Sequence, residues 1–314
     1  MRILITGGFG FLGGRLALHL LLAGHQVVLG SRKVKGKPDW LQQGEVVQTV
    51  WSDCCALEHI CAEIDVVIHA SGMNAQDCTA NPVAALECNG LATARLVKAA
   101  SRAGVKRFIY ISTAHVYESP LLGLITEESC PRNLHPYATS HLAGEHCVLS
   151  SSQRGEIEGV VLRLSNAFGA PVDKDVNCWM LLVNDLCRQV VQAGVMVLHT
   201  NGRQYRDFIT ISEVCRLVEH ACLCVFDASS PFIINAGSGV STSVLEMAQI
   251  IQKRCTSLLG YEPRIQRHAD DRKQNGELLS YQSGRLAKAG IARINDCNHE
   301  IDMLLRFCQV FNTK

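Results

Sequence analysis

Short apolar runs alternate along the chain with longer stretches whose apolar positions recur at helical spacing. Residues 2–6 read as a strand, and a helical pattern follows over 11–23. Residues 26–29, 46–50 and 66–69 read as three further strands. A long helix is expected over 83–103, with Leu86, Leu91, Leu96 and Val97 at its apolar positions. Residues 107–112 read as a fifth strand, 137–149 as a helix and 160–164 as a sixth strand. This alternation predicts an α/β fold with a doubly wound parallel sheet. The strands are nearly unbroken apolar runs, as a sheet covered on both faces requires. Beyond about residue 168 the pattern loosens, with helices expected at 176–193, 212–226, 243–257 and 300–310. That stretch is expected to form a smaller, more irregular C-terminal part.

Composition narrows the classes. With 314 residues, 47% hydrophobic and 19% charged, the chain is long and apolar enough to bury a core. Thirty basic against 29 acidic residues give a net charge of +1, without the basic footprint of a nucleic-acid binder. The apolar run 16–24 contains His19 and is far shorter than the ~20 residues that span a bilayer, so no membrane contact is expected. The fifteen cysteines include no CxxC pair, so no metal site is expected. With no secretory leader visible, the thiols fit a reducing cytoplasm.

The segment Thr6-Gly-Gly-Phe-Gly-Phe-Leu-Gly13 follows the first strand and opens the first helix. Gly7 makes the tight turn, Gly10 lets the backbone approach a pyrophosphate, and Gly13 lets helix and strand pack closely. The amides of Phe11, Leu12 and Gly13 lie at the positive end of the helix dipole. In this position the motif predicts a Rossmann-type dinucleotide site. An acidic residue about 20 positions on would bind the adenosine ribose of NAD. The chain instead reads Leu29-Gly-Ser-Arg-Lys33. Ser31 and Arg32 suit a 2′-phosphate, since a guanidinium matches phosphate geometry in a bidentate manner. NADP is the expected cofactor and NAD the alternative.

These segments resemble the extended short-chain dehydrogenases/reductases, in the NAD-dependent epimerase/dehydratase family that acts on nucleotide sugars. The resemblance runs over nearly the whole chain, through Thr6–Gly13, Asp65–Ala70, Asn89, Ile111–Tyr117, Leu162–Gly169, Gly202–Phe208, Asn235–Gly239 and Arg267–Asp270. It implies a dinucleotide-binding part over 1–167, with return segments near 205–236, and a mainly substrate-binding part over 168–314. It places Thr113 and Tyr137 in the catalytic pair. It places Asp53, Ala70 and His141 beside the cofactor, and Asn166, Arg206 and Arg267 on the diphosphate of a nucleoside diphosphate sugar. It also implies a homodimer through the helices at 83–103 and 137–149.

Two departures stand out. The family lowers the pKa of its tyrosine with a lysine four residues on; here that residue is His141. Histidine can bond a ribose hydroxyl and carry partial charge near neutral pH. Two residues past Thr113, where relatives that dehydrate carry an acid, stands His115, either a proton carrier or a neutral lining residue. The missing NAD carboxylate makes NADPH-dependent reduction of a 4-keto nucleotide sugar the leading expectation, since a reductase draws on free NADPH. The alternatives are an epimerase with retained cofactor and a non-catalytic NADP-binding regulatory protein.

Overall fold

The computed structural model describes residues 1–33, 36–224, 232–267, 278–288 and 290–311. The chain divides into two compact units. The first comprises residues 1–119, 130–164 and 215–234; the second comprises 120–129, 165–214 and 235–314.

The first unit begins β1 (Arg2–Thr6), α1 (Phe11–Leu22), β2 (Gln26–Ser31), β3 (Glu45–Gln48), α2 (Cys54–Ile60) and β4 (Val66–His69). It continues through α3 (Ala75–Ala80), α4 (Pro82–Ala85), a π-helical turn at Leu86–Leu91, α5 (Ala92–Arg102) and β5 (Arg107–Thr113). Strand β6 (Gly123–Ile125) belongs to the second unit, and the first resumes with α6 (Pro136–Gln153) and β7 (Glu158–Leu164). The main sheet has seven strands in the order β11-β7-β5-β4-β1-β2-β3, where β11 is Phe232–Ala236. The pairs from β7 to β3 are all parallel, with Thr6 in register with both Gly30 and His69. This is the expected Rossmann-type doubly wound sheet. Its core takes Leu4, Val28, Val67, Phe108 and Val161 from the strands and Leu57 and Leu96 from the helices, all buried.

The strand order reverses between β1 and β4, and in such sheets the crevice beyond the strand ends at the reversal is the ligand site. The loop Gly7–Gly10 stands there.

The second unit adds β8 (Asn166–Phe168), α7 (Leu182–Ala193), β9 (Val195–Leu198), β10 (Tyr205–Thr210) and α8 (Ile211–Leu223), the last shared with the first unit. Then come β12 (Ser241–Ser243), α9 (Val244–Leu259), β13 (Arg264–Arg267), β14 (Leu279–Tyr281), α10 (Gly284–Lys288) and α11 (Cys297–Phe311). Helices α7, α9 and α11 bury Leu186, Val190, Met247, Ile251, Leu304 and Leu305 against one another. The small sheet β12-β10-β8 carries Arg206 and Asn166.

Several elements differ from the pattern read in the sequence. The helix expected at 83–103 is not regular. The π turn inserts an extra residue between α4 and α5, and Asn89 lies within that turn. The helix expected at 176–193 starts only at Leu182, and α2 and α3 were not anticipated. Helix α2 has seven residues and buries only Leu57 among them, too little apolar signal to read as a helix.

Candidate active site

The loop after β1 is shaped for close backbone approach. Gly7 has φ +71°, and a side chain there would lie 2.8 Å from the carbonyl of Ala70 at the end of β4. A side chain at Gly13 would collide with the carbonyl of Gly7. No side chain caps α1, whose N-cap is Gly10, and its first turn holds no acidic residue. The cradle therefore fits a dinucleotide pyrophosphate, with amides from the helix start turned to an anion.

The other residues expected at the cofactor lie apart from the glycine loop. Ser31 closes β2 half-buried, and Arg32 follows it exposed to water. Asp53 is exposed and caps α2, its Oδ1 accepting from the amide of Ala56 at 3.0 Å. Ala70 follows β4, and its amide donates to the carbonyl of Thr6 at 3.2 Å.

Thr113 ends β5 and Tyr137 stands at the start of α6, with the Thr113 hydroxyl close enough to the phenol to act on its ionisation. His141 lies one helical turn on, its ring edge-on to that of Tyr137 with centroids 4.6 Å apart. The structure thus brings these three predicted residues together. Burial raises the pKa of Tyr137 above its usual value, the Thr113 hydroxyl offsets part of that rise, and Cys78 adds to it. Burial alone holds His141 down at about 4. The partial charge expected of His141 is therefore absent at neutral pH: the ring is neutral, because burial penalises the imidazolium.

Behind this triad lies a buried polar cluster that the sequence reading did not assemble. Asn89, on the π turn, accepts at Oδ1 from the amide of Met73 at 2.8 Å and donates from Nδ2 to Ser140 Oγ at 3.0 Å. The Tyr110 phenol oxygen lies 3.1 Å from His141 Nδ1. Thr93 donates to the carbonyl of Asn89 at 2.6 Å, and His69 spans Thr93 and Thr6 at 3.0 and 2.6 Å. The spacing of four between residues 89 and 93, and between 137 and 141, places each pair on one helix face and was the available signal. Tyr110 carried none, since a tyrosine inside an apolar strand reads as core.

His115 sits on a short 3₁₀ turn after Thr113, half-buried, with its amide donating to Thr113 Oγ1 at 3.2 Å. Its carbonyl accepts from Asn133 Nδ2 at 2.7 Å. Nearby, Glu145 and Arg163 form a fully buried ion pair, with Nη2 to Oε2 at 2.6 Å. Ser112 donates to the same carboxylate at 2.5 Å, and the guanidinium lies over the ring of Tyr117 at 4.7 Å.

In the second unit, Asp207 is buried and accepts from Ser165 Oγ, Ser238 Oγ and the amides of Ser238 and Gly239 at 2.6–3.0 Å. It thereby ties β10 to two turns and fixes its neighbour Arg206. The Arg206 guanidinium is half-buried, and among the described residues no carboxylate or carbonyl binds it; burial pulls its pKa down. Asn166 donates from Nδ2 to the carbonyl of Asp207 at 2.9 Å. Arg267 ends β13, exposed. His268 to Asp270, the rest of the late motif, lie outside the described residues. Among the described residues there is no cluster of three or more metal-ligating side chains, and no helix is long and apolar enough to cross a membrane.

A glycine cradle at the sheet's reversal point and a threonine–tyrosine hydroxyl pair define a dinucleotide-binding enzyme fold. The model of the NAD dependent epimerase/dehydratase family matches residues 3–237, and the chain belongs to this family of enzymes. The UDP-glucose 4-epimerase of Neisseria meningitidis serogroup C is 27% identical, over 86% of this chain and 87% of that protein. The dTDP-glucose 4,6-dehydratase of Streptomyces niveus is 26% identical, over 87% of this chain and 82% of that protein. Among solved structures, the UDP-N-acetylglucosamine 4-epimerase from Methanobrevibacter ruminantium M1, in complex with UDP-N-acetylmuramic acid, superposes with a TM-score of 0.81 at 21% identity. That match covers 98% of this chain and 97% of the other. The UDP-glucose 4-epimerase of Thermus thermophilus, in complex with NAD, gives 0.79 at 22% identity, covering 98% and 99%.

Proposed function

We propose that this protein reduces a 4-keto sugar nucleotide with NADPH. The observation that carries the direction is Tyr137, a phenol kept protonated by burial beside a neutral His141. A protonated phenol carries the proton that a carbonyl oxygen must receive on reduction. A base for the reverse oxidation would need its pKa lowered, and no cation in the cluster does so. Relatives named for UDP-glucose and dTDP-glucose support a nucleoside diphosphate sugar as substrate.

When bound, the nicotinamide supplies the hydride. Gly7, Gly10 and the amides of Phe11, Leu12 and Gly13 hold the pyrophosphate, and Ser31 and Arg32 take the 2′-phosphate. Asp53 and Ala70 line the cofactor, and His141 bonds its ribose. Tyr137 gives its proton to the sugar carbonyl oxygen, with Thr113 fixing the phenol. His115 lines the sugar pocket. Asn166, Arg206 and Arg267 hold the diphosphate.

A second reading, an epimerase with retained cofactor, draws on the epimerases among the relatives. The test incubates the protein with NADPH or NADH and a panel of 4-keto sugar nucleotides. One NADPH consumed per sugar reduced is expected. Interconversion of nucleotide sugars without net cofactor consumption would establish the epimerase instead, and binding without turnover a regulatory cofactor binder. Arg32→Ala should weaken NADPH by about tenfold, the equivalent of roughly 1.5 kcal/mol for one charged hydrogen-bond contact, and leave NADH unchanged. Equal wild-type affinities for the two cofactors would remove the NADP assignment.

We also infer a homodimer formed through the helices around 83–103 and α6. Val83, Leu86 and Leu91 support it, 68%, 50% and 46% exposed on one of those elements. The fifteen cysteines, all thiols rather than disulfides, support a cytoplasmic location.

A further inference from the structure

The protons in the buried cluster of the first unit can be assigned one after another. Thr93 Oγ1 lies 2.6 Å from the carbonyl of Asn89, which can only accept, so Thr93 donates. The hydroxyl oxygen of Thr93 then receives from His69, whose Nε2 is 3.0 Å away. His69 is neutral, held by burial at about 3, with the neighbouring His141 adding to the depression. With its one proton on Nε2, it accepts at Nδ1 from the hydroxyl of Thr6 at 2.6 Å.

Tyr110 comes next. Its phenol oxygen is 3.1 Å from His141 Nδ1 and 3.4 Å from the carbonyl of Asn89. The carbonyl has a second lone pair and can accept from both, but the phenol lies closer to the ring, so the nearer acceptor for it is His141 Nδ1. A neutral imidazole that accepts at Nδ1 carries its proton on Nε2. The Cε1–Nε2 edge of this ring lies beside Gly72, where an added Cβ would be 3.6 Å from Cε1 and 3.7 Å from Nε2. Gly144 on α6 leaves the space in which the phenol sits, since a Cβ there would come within 2.6 Å of both the Tyr110 oxygen and the Asn89 carbonyl.

The geometry points to Tyr110 as a positioning residue that fixes the His141 proton on Nε2. A neutral imidazole thereby becomes the hydrogen-bond donor where the family carries a charged lysine. The tautomer stands on this cluster alone; its catalytic consequence rests on the reductase reading, because a donor without charge leaves Tyr137 protonated.

The experiment is NMR of the ligand-free protein carrying heavy-nitrogen-labelled histidine, with His141→Gln used to identify the ring signals. Expected is one tautomer of His141, protonated at Nε2, with Nδ1 showing the shift of a hydrogen-bonded acceptor. Tyr110→Phe removes only the phenol oxygen and should move the Nδ1 signal toward that of an unbonded acceptor. Thr93→Val keeps the phenol but frees the Asn89 carbonyl to draw it, so the signal should move the same way by less. In turnover, Tyr110→Phe should lower kcat by about 10- to 100-fold, the range of residues that orient a functional group, with little change in either KM. A proton on Nδ1 in the wild type, or an Nδ1 signal unmoved in both variants, overturns the assignment. The spectra need neither cofactor nor sugar, so they hold or fail apart from the proposed activity.

Discussion

Arg163 and Arg206 are both withdrawn from water, and they are held in opposite ways. Arg163 is 3% exposed and closed on Glu145, which is fully buried. Arg206 is half-buried with no anion among the described residues. The first guanidinium has its counter-charge built into the fold, and the second leaves it to be supplied. The same contrast separates the surroundings. Most polar groups of the cluster around His141 in the first unit are paired within it, whereas Asp207 in the second unit fixes the backbone around Arg206 and leaves the guanidinium open. A closed group holds the structure, and the open one is the group proposed to take the diphosphate.

The largest expected effect tests whether the closed cluster contains the chemistry. Tyr137→Phe should lower turnover by about 10²- to 10⁴-fold, the usual scale of a general acid, with cofactor and sugar nucleotide still bound. Turnover at the wild-type rate would remove Tyr137 from the reaction.

Next comes the closed ion pair. Arg163→Met should cost about 3–5 kcal/mol of unfolding free energy, because it strands the Glu145 charge in the core. Adding Glu145→Gln should restore much of that loss, and denaturant unfolding measures both. A loss under about 1 kcal/mol in the single variant would show the pair to be dispensable.

The third test is pH. His141 is held at about 4 in the folded state and His69 at about 3, against about 6.5 unfolded. Below pH 6.5 the unfolded chain therefore binds protons that the folded chain refuses. Stability should be complete above that pH and fall as the pH drops toward about 4. His141 should account for on the order of 3 kcal/mol of the loss. His141→Gln should flatten that part of the curve, and an unchanged slope would contradict the neutral imidazole.

The smallest effect falls on the open group. Arg206→Ala should raise KM for the sugar nucleotide by about 10- to 100-fold, the value of a charged hydrogen bond, and leave NADPH affinity and stability unchanged. A parallel loss of NADPH affinity would assign Arg206 to the cofactor.

The sequence was most legible where one short segment contains a complete device. The turn Gly7–Gly13 shows its glycine spacing, its strand and its helix within a dozen residues, and the fold class followed from alternation alone. Thr113 and Tyr137 could be matched by motif. What could not be read depends on distant pairing. Glu145 and Arg163 are eighteen residues apart and meet only because β7 lies beside β5, over which α6 packs. The charge state of His141 depends on burial, which no spacing reveals. Tyr110 shows an apolar strand context, and its hydroxyl acquires meaning only when α6 brings His141 to it.

The π turn at Leu86–Leu91 has a consequence for how this chain can change by insertion and deletion. Such a turn is a helix with one residue too many, and it holds Asn89 toward Met73 and Ser140. Deleting one residue between 86 and 88 would let α4 run straight into α5 with ordinary helical bonding. It would also swing Asn89 by about 100° around the axis, away from both partners. A single lost codon would thus trade an irregular helix that serves the site for a regular one that does not.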